Sequence, residues 1–87
     1  MKKIKIVSEE KRFKPFEIEL KEYLMDTRED IMNKVFDQSA KKNFTYFLEI
    51  IELGTGLSKE EIHDKYSNDQ IYAISRTCIE AANKKKL

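Results

Sequence analysis

Phe44-Thr45-Tyr46-Phe47-Leu48-Glu49-Ile50-Ile51-Glu52-Leu53, leading into Gly54-Thr55-Gly56, is the stretch on which the reading of this chain turns. Taken as a helix, it sets Phe44, Phe47, Leu48 and Ile51 on one stripe, the i, i+3, i+4, i+7 spacing of an amphipathic face. At about 100° per residue, Tyr46, Ile50 and Leu53 fall on the opposite side, and only Thr45, Glu49 and Glu52 share a polar strip. A helix that is apolar nearly all round needs cover on most sides. Two readings follow. Either it is the central core helix, or its second stripe, Tyr46, Ile50 and Leu53, meets a partner.

The segments on either side of this stretch supply what could pack on it. Asn43 is a suitable N-cap, and Gly54 stands where a left-handed residue often ends a helix. Gly56 gives the turn a second flexible point. Ser58-Lys59-Glu60-Glu61 reads as a capping box, with Leu57 and Ile62 as its hydrophobic staple. Ser67-Asn68-Asp69-Gln70 opens a last helix in the same way. Its stripe is Ile71, Ile74, Ser75, Cys78 and Ala82, with Tyr72 and Ile79 as a flanking ridge. On the N-terminal side, Thr27-Arg28-Glu29-Asp30 resembles a capping box, and Ile31, Met32, Val35 and Phe36 form one apolar stripe. Residues 21–26 read as a connector that packs down.

Near the start, Ile4 and Ile6 alternate with Lys3, Lys5 and Val7, which is strand periodicity. Phe16, Ile18 and Leu20 alternate with Glu17, Glu19 and Lys21 in the same way. Ser8-Glu9-Glu10-Lys11 is a polar link of hairpin length, and Pro15 belongs at an edge or strand start. Lysine on one strand and glutamate on the other suit cross-strand pairing. A lone hairpin is marginal, so helices must cover its apolar face. The expected fold class is therefore α+β and α-rich, with an N-terminal two-stranded β-hairpin packed on about four α-helices. Residues 1–87 form a single domain: 1–21 the hairpin, 27–83 the helical part, 84–87 a frayed basic tail.

Charge narrows the function classes. Residues 1–14 carry six Lys/Arg against two Glu, while residues 15–83 carry eight against fourteen Asp/Glu. An acidic body with basic ends is a poor surface for a phosphate backbone, whose binding depends on neutralised phosphates. A single cysteine, Cys78, makes no internal disulfide, and no apolar run is long enough for a bilayer, so a cytoplasmic protein is expected.

No catalytic centre is legible, so no enzyme, cofactor or metal is expected. Glu60, His63 and Asp64 lie close on one helix and make a weak divalent site at best, with a solvated surface the plainer reading. Cys78 sits on an apolar stripe, where a buried filler is the plainer reading than a nucleophile. The last two helices outline a helix-turn-helix presenting Asn68, Gln70, Tyr72 and Arg76, with Asp69 and the acidic body against it. A small DNA-binding regulator is the alternative function.

The Phe-rich helix running into Leu53-Gly54-Thr55-Gly56-Leu57-Ser58-Lys59-Glu60-Glu61-Ile62, then a helix introduced by Ser67-Asn68-Asp69, resembles the tail assembly chaperones of long-tailed bacteriophages over residues 13–83. That resemblance implies a non-enzymatic scaffold in the host cytoplasm. Such proteins coat a helical tape measure protein, bring tail tube protein to it, and self-associate. It implies neither nucleic-acid nor membrane binding. On this reading Tyr46, Ile50, Leu53, Tyr72 and Ile79 are the expected partner-binding residues.

Overall fold

A computed structural model of the chain describes residues 2–21 and 25–83. Among them the order is β1 (Lys2–Ile6), β2 (Phe16–Leu20), α1 (Met25–Phe36), α2 (Phe44–Thr55), α3 (Lys59–Lys65) and α4 (Asn68–Asn83). This is the α-rich α+β class expected, a hairpin on helices. The radius of gyration is 12.5 Å, against about 12 Å for a compact chain of this length.

The hairpin is antiparallel, with Lys3 opposite Glu19, Lys5 opposite Glu17, and Ile4 opposite Ile18. Both of these Lys–Glu pairs join unlike charges, and the pairs Ile4–Ile18 and Ile6–Phe16 fall on the other face. Ile6, Ile18 and Leu20 are buried. The connection between the strands is longer than Ser8–Lys11, spanning residues 7–15. Its turn closes with the Lys11 amide on the Ser8 carbonyl at 3.2 Å, and Lys11 takes a positive φ of 56°. Phe13 packs on Phe16, whose ring stacks on Tyr66 between α3 and α4 at 5.5 Å. That stack ties the hairpin to the helical part.

Helix α2 is the centre of the molecule. Helices α1, α3 and α4 and strand β2 all pack on it, and Ile50 and Ile51 are fully buried. The Asn43 side chain accepts the Tyr46 amide at 3.0 Å, the expected N-cap. At the other end the helix runs further than Gly54. Gly54 lies inside it, and Gly56 is the left-handed C-cap at φ 82°. Thr55 makes this extension workable. Its buried hydroxyl donates to the Ile51 carbonyl at 2.7 Å and accepts the Leu57 amide at 3.2 Å. The Gly54 carbonyl accepts the Lys21 amide at 2.8 Å, so the end of β2 satisfies a group that a helix terminus leaves open.

Both downstream capping boxes form. The Glu61 amide bonds Ser58 Oγ while the Ser58 amide bonds Glu61 Oε1. Ser67 and Gln70 repeat the exchange at 2.8 and 3.3 Å. In α4 the expected stripe of Ile71, Ile74, Ser75, Cys78 and Ala82 is buried throughout.

Helix α1 departs from expectation at both ends. It begins at Met25, so Thr27 is in its first turn and not at its cap. The connector role given to Tyr23 and Leu24, like the tail at Lys84, Lys85 and Lys86, lies outside the described residues. At the far end Phe36, expected on the buried stripe with Ile31, is 72% exposed. It is the last helical residue, just before the chain turns away. There the Asp37 carboxylate accepts the Ser39 amide at 2.9 Å and its hydroxyl at 2.6 Å.

Those Ser39 bonds hold the Asp37 carboxyl below its ordinary pKa. The folded value lies under the unfolded one, so the contribution is present above the usual carboxylate range and lost as pH falls through the folded value. Replacing Ser39 with alanine should return the Asp37 titration towards about 3.9, as followed by carboxyl-carbon NMR. An unchanged midpoint would mean that the Ser39 hydroxyl is not what lowers it.

Candidate functional site

The five residues expected to meet a partner do not form one surface. Ile50 is fully buried and Tyr46 is 5% exposed, so two of the three α2 positions belong to the core. This corrects the outward reading of that stripe. The physical reason is that α2 has neighbours on both apolar sides, α1, α3 and α4 together with β2, so its second stripe is consumed within the chain. Burial pushes the Tyr46 phenol up from its ordinary pKa, with Lys34 acting in the opposite direction. Leu53 and Ile79 are half-buried against the core. Tyr72, at 45% exposure, is the one of the five that stands out from the surface.

Tyr72 organises a ridge that the periodicity of α2 did not reveal. Its ring meets Phe47 edge-on at 5.0 Å and Phe44 edge-on at 6.0 Å. Phe47 continues to Tyr46 at 5.1 Å, and Phe44 to His63 at 5.9 Å. Phe44 and Phe47, assigned to the inner stripe from spacing, are only half-buried. The seam between α2 and α4 thus carries a line of aromatic edges reaching solvent. Edge-to-face pairs of this kind hold their rings rigidly, each worth about 0.5–1.5 kcal/mol beyond area burial. A preset aromatic ridge loses little rotamer freedom on docking, which suits it to receive an apolar partner stripe.

Charged groups flank the ridge. Among the described residues, no group of three or more His, Cys, Asp or Glu is placed to hold a metal ion. His63 sits with Leu48, Lys59, Glu60 and Asp64 around a shallow notch of about 420 Å³. Its ring is engaged by Phe44. Cys78 is fully buried, so its thiol has no route to a substrate.

On α4, the side presented to solvent by a helix-turn-helix reading is crossed by ion pairs. Arg76 meets Glu9 at 3.6 Å, and Arg12 meets Asp69 at 3.3 Å and Glu10 at 2.6 Å. Glu10 first, then Asp69, hold the Arg12 guanidinium above its ordinary pKa. The hairpin loop therefore lays Glu9 and Glu10 beside the helix that would have to approach a phosphate backbone, an unfavourable arrangement for duplex binding. No helix among the described residues is long and apolar enough to cross a membrane.

Comparison of the chain with family models, with curated proteins and with solved structures gives no match.

Proposed function

We propose that this chain is a non-enzymatic binding module for an amphipathic helix, and that it acts as a tail assembly chaperone towards a helical tape-measure-type protein and the tail tube subunits that join it. The resemblance of residues 13–83 to those chaperones supplies the partner class. The observation that carries the binding reading is the Tyr72–Phe47–Phe44 ridge, which keeps large aromatic surface half in solvent on the outer side of a closed core. A helix laid in a groove or along a ridge is read through anchors at i, i+3, i+4 and i+7, and aromatic side chains serve such contacts best.

Co-expression with a long tape-measure-type helical protein tests this. The account expects that protein to stay in the soluble fraction and to co-purify with the chain. A Tyr72→Glu variant should lose most of the co-purification, roughly tenfold or more for a central anchor, while its circular dichroism stays that of the parent. A helical protein that precipitates equally with or without the chain would contradict the reading.

The DNA-regulator reading rests on the α3–α4 pair, whose two helices are separated only by residues 66–67. A gel shift at low salt, fading steeply as salt rises, would favour it. Arg12 and Arg76 are already paired with Glu10, Asp69 and Glu9, which argues for no shift.

A further inference from the structure

The β1–β2 connection carries Glu9-Glu10-Lys11-Arg12, and ion pairs tie it to α4. Glu9 meets Arg76 at 3.6 Å, and Arg12 meets Asp69 at 3.3 Å. The two pairs have opposite sense: the connection offers first an acid and then a base, the helix a base at 76 and an acid at 69. Asp69 and Arg76 stand two turns, or about 10 Å, apart along α4. The connection therefore fits in one direction, since reversing it would set acid against acid and base against base. Its tip also keeps its own shape. The Lys11 amide closes on the Ser8 carbonyl at 3.2 Å and the Arg12 amide on Ser8 Oγ at 2.9 Å. Glu10 holds the Arg12 guanidinium at 2.6 Å within the tip itself. Just beyond, Phe13 packs on Phe16 at 5.6 Å. Between the connection and α4 lies a groove of about 490 Å³, lined by Ile4, Tyr72, Ala73 and Thr77 together with the paired charges. The tip bridges this space with long charged side chains.

We propose that residues 8–12 are a charge-held strap across α4, docked through Glu9–Arg76 and Arg12–Asp69, released by ionic strength, and governing access to the groove side of Tyr72. All four side chains are well exposed, from 48% to 82%. Exposed pairs of this kind are weak and screened by salt, each commonly shifting an equilibrium by less than about fivefold. A strap held by two of them exchanges between docked and lifted forms, and a small change in the surrounding charge moves the balance. The bonds within the tip let it lift as a unit. The packing of Phe13 on Phe16, and of Phe16 on Tyr66, keeps the rest of the hairpin in place. Lifting uncovers Ile4, Ala73 and Thr77 and the side of Tyr72 that lines the groove with them. That surface adjoins the part of Tyr72 already shown on the ridge. The strap needs no partner to operate, so it stands apart from the chaperone reading.

The test uses the whole chain, methyl-labelled for NMR, with a neutral gadolinium chelate as the solvent probe. Raising sodium chloride from about 0.01 M to about 1 M shortens the screening length from about 30 Å to about 3 Å. The strap should lift, and relaxation of the Ala73 and Thr77 methyl protons should rise roughly twofold or more, while the Ile50 methyls stay protected. Arg76→Glu sets an acid against Glu9 and should give the same rise at low salt. Adding Glu9→Arg to that variant restores the pair with its sense exchanged and should return Ala73 and Thr77 to the parent's low rates. Both variants carry glutamate at 76, so the shorter side chain there does not explain a difference between them. Relaxation indifferent to salt would overturn the proposal, as would a double variant as open as Arg76→Glu alone. Ile50 relaxing in parallel with Ala73 and Thr77 would mean that the whole chain had loosened, and would overturn it too.

Discussion

Replacing Ile50 with alanine should lower the unfolding free energy by about 3–4 kcal/mol, the usual cost of emptying a fully buried isoleucine site. Ile50 touches no solvent. It sits on a helix enclosed by α1, α3, α4 and β2, so the cavity has no surface to collapse into. For 87 residues the whole stability is on the order of 4–13 kcal/mol. One substitution therefore removes a large share of it, and urea denaturation should show a much lower midpoint. Were Ile50 a docking residue, the same change would spare stability and weaken a partner instead. A shift below about 1 kcal/mol, typical of surface positions, would return α2's second stripe to the outside.

The second large effect is expected at Gly56. Its φ of 82° lies in the left-handed region, where a side chain costs roughly 1–2 kcal/mol. A Cβ placed there would also stand 2.7 Å from Lys21 Cε. That neighbour is the far end of a flexible side chain and can withdraw, so conformational strain decides the sign. Gly56→Ala should destabilise by about 1–2 kcal/mol, and Gly56→Asn by less, because asparagine tolerates this conformation better. Adding Lys21→Ala to Gly56→Ala should recover only the crowding. Full recovery in the double variant would show that strain at φ 82° is not the cause. The comparison also probes the α2–β2 junction, since the Lys21 amide bonds the Gly54 carbonyl next door.

Much of the fold was legible because local signals and burial agree. The reciprocal Ser58–Glu61 and Ser67–Gln70 bonds follow from capping chemistry alone. In α4 the i, i+3, i+4, i+7 stripe from Ile71 to Cys78 is the buried one. The β1–β2 register could be anticipated because only one pairing keeps apolar residues together and sets Lys3 and Lys5 against glutamates.

What escaped depends on neighbours that periodicity does not encode. A helix apolar on two sides states that it must be covered, but not whether its own chain does the covering. Tyr46 and Ile50 went to the core for that reason, while Phe44 and Phe47 from the other stripe partly face solvent beside Tyr72. Phe36 shows the same limit: its spacing matches Ile31, yet helix α1 ends there and its side chain stays 72% exposed. At Gly54 and Gly56 two glycines competed for one cap. The choice fell to Thr55, whose buried hydroxyl closes the final turn. Of the candidate site, Tyr72 was visible as a ridge residue of α4, but its partners on α2 were not.

The central claim is that the Tyr46 and Ile50 side of α2 is covered within the chain, while its Phe44 and Phe47 side still reaches solvent beside Tyr72. Solvent paramagnetic relaxation tests this most directly, using a neutral soluble gadolinium chelate and side-chain NMR. The account predicts that Ile50 methyl and Tyr46 ring protons are barely relaxed, while those of Tyr72 and Phe36 are relaxed strongly. Ile50 and Tyr46 relaxing as fast as Tyr72 would contradict it.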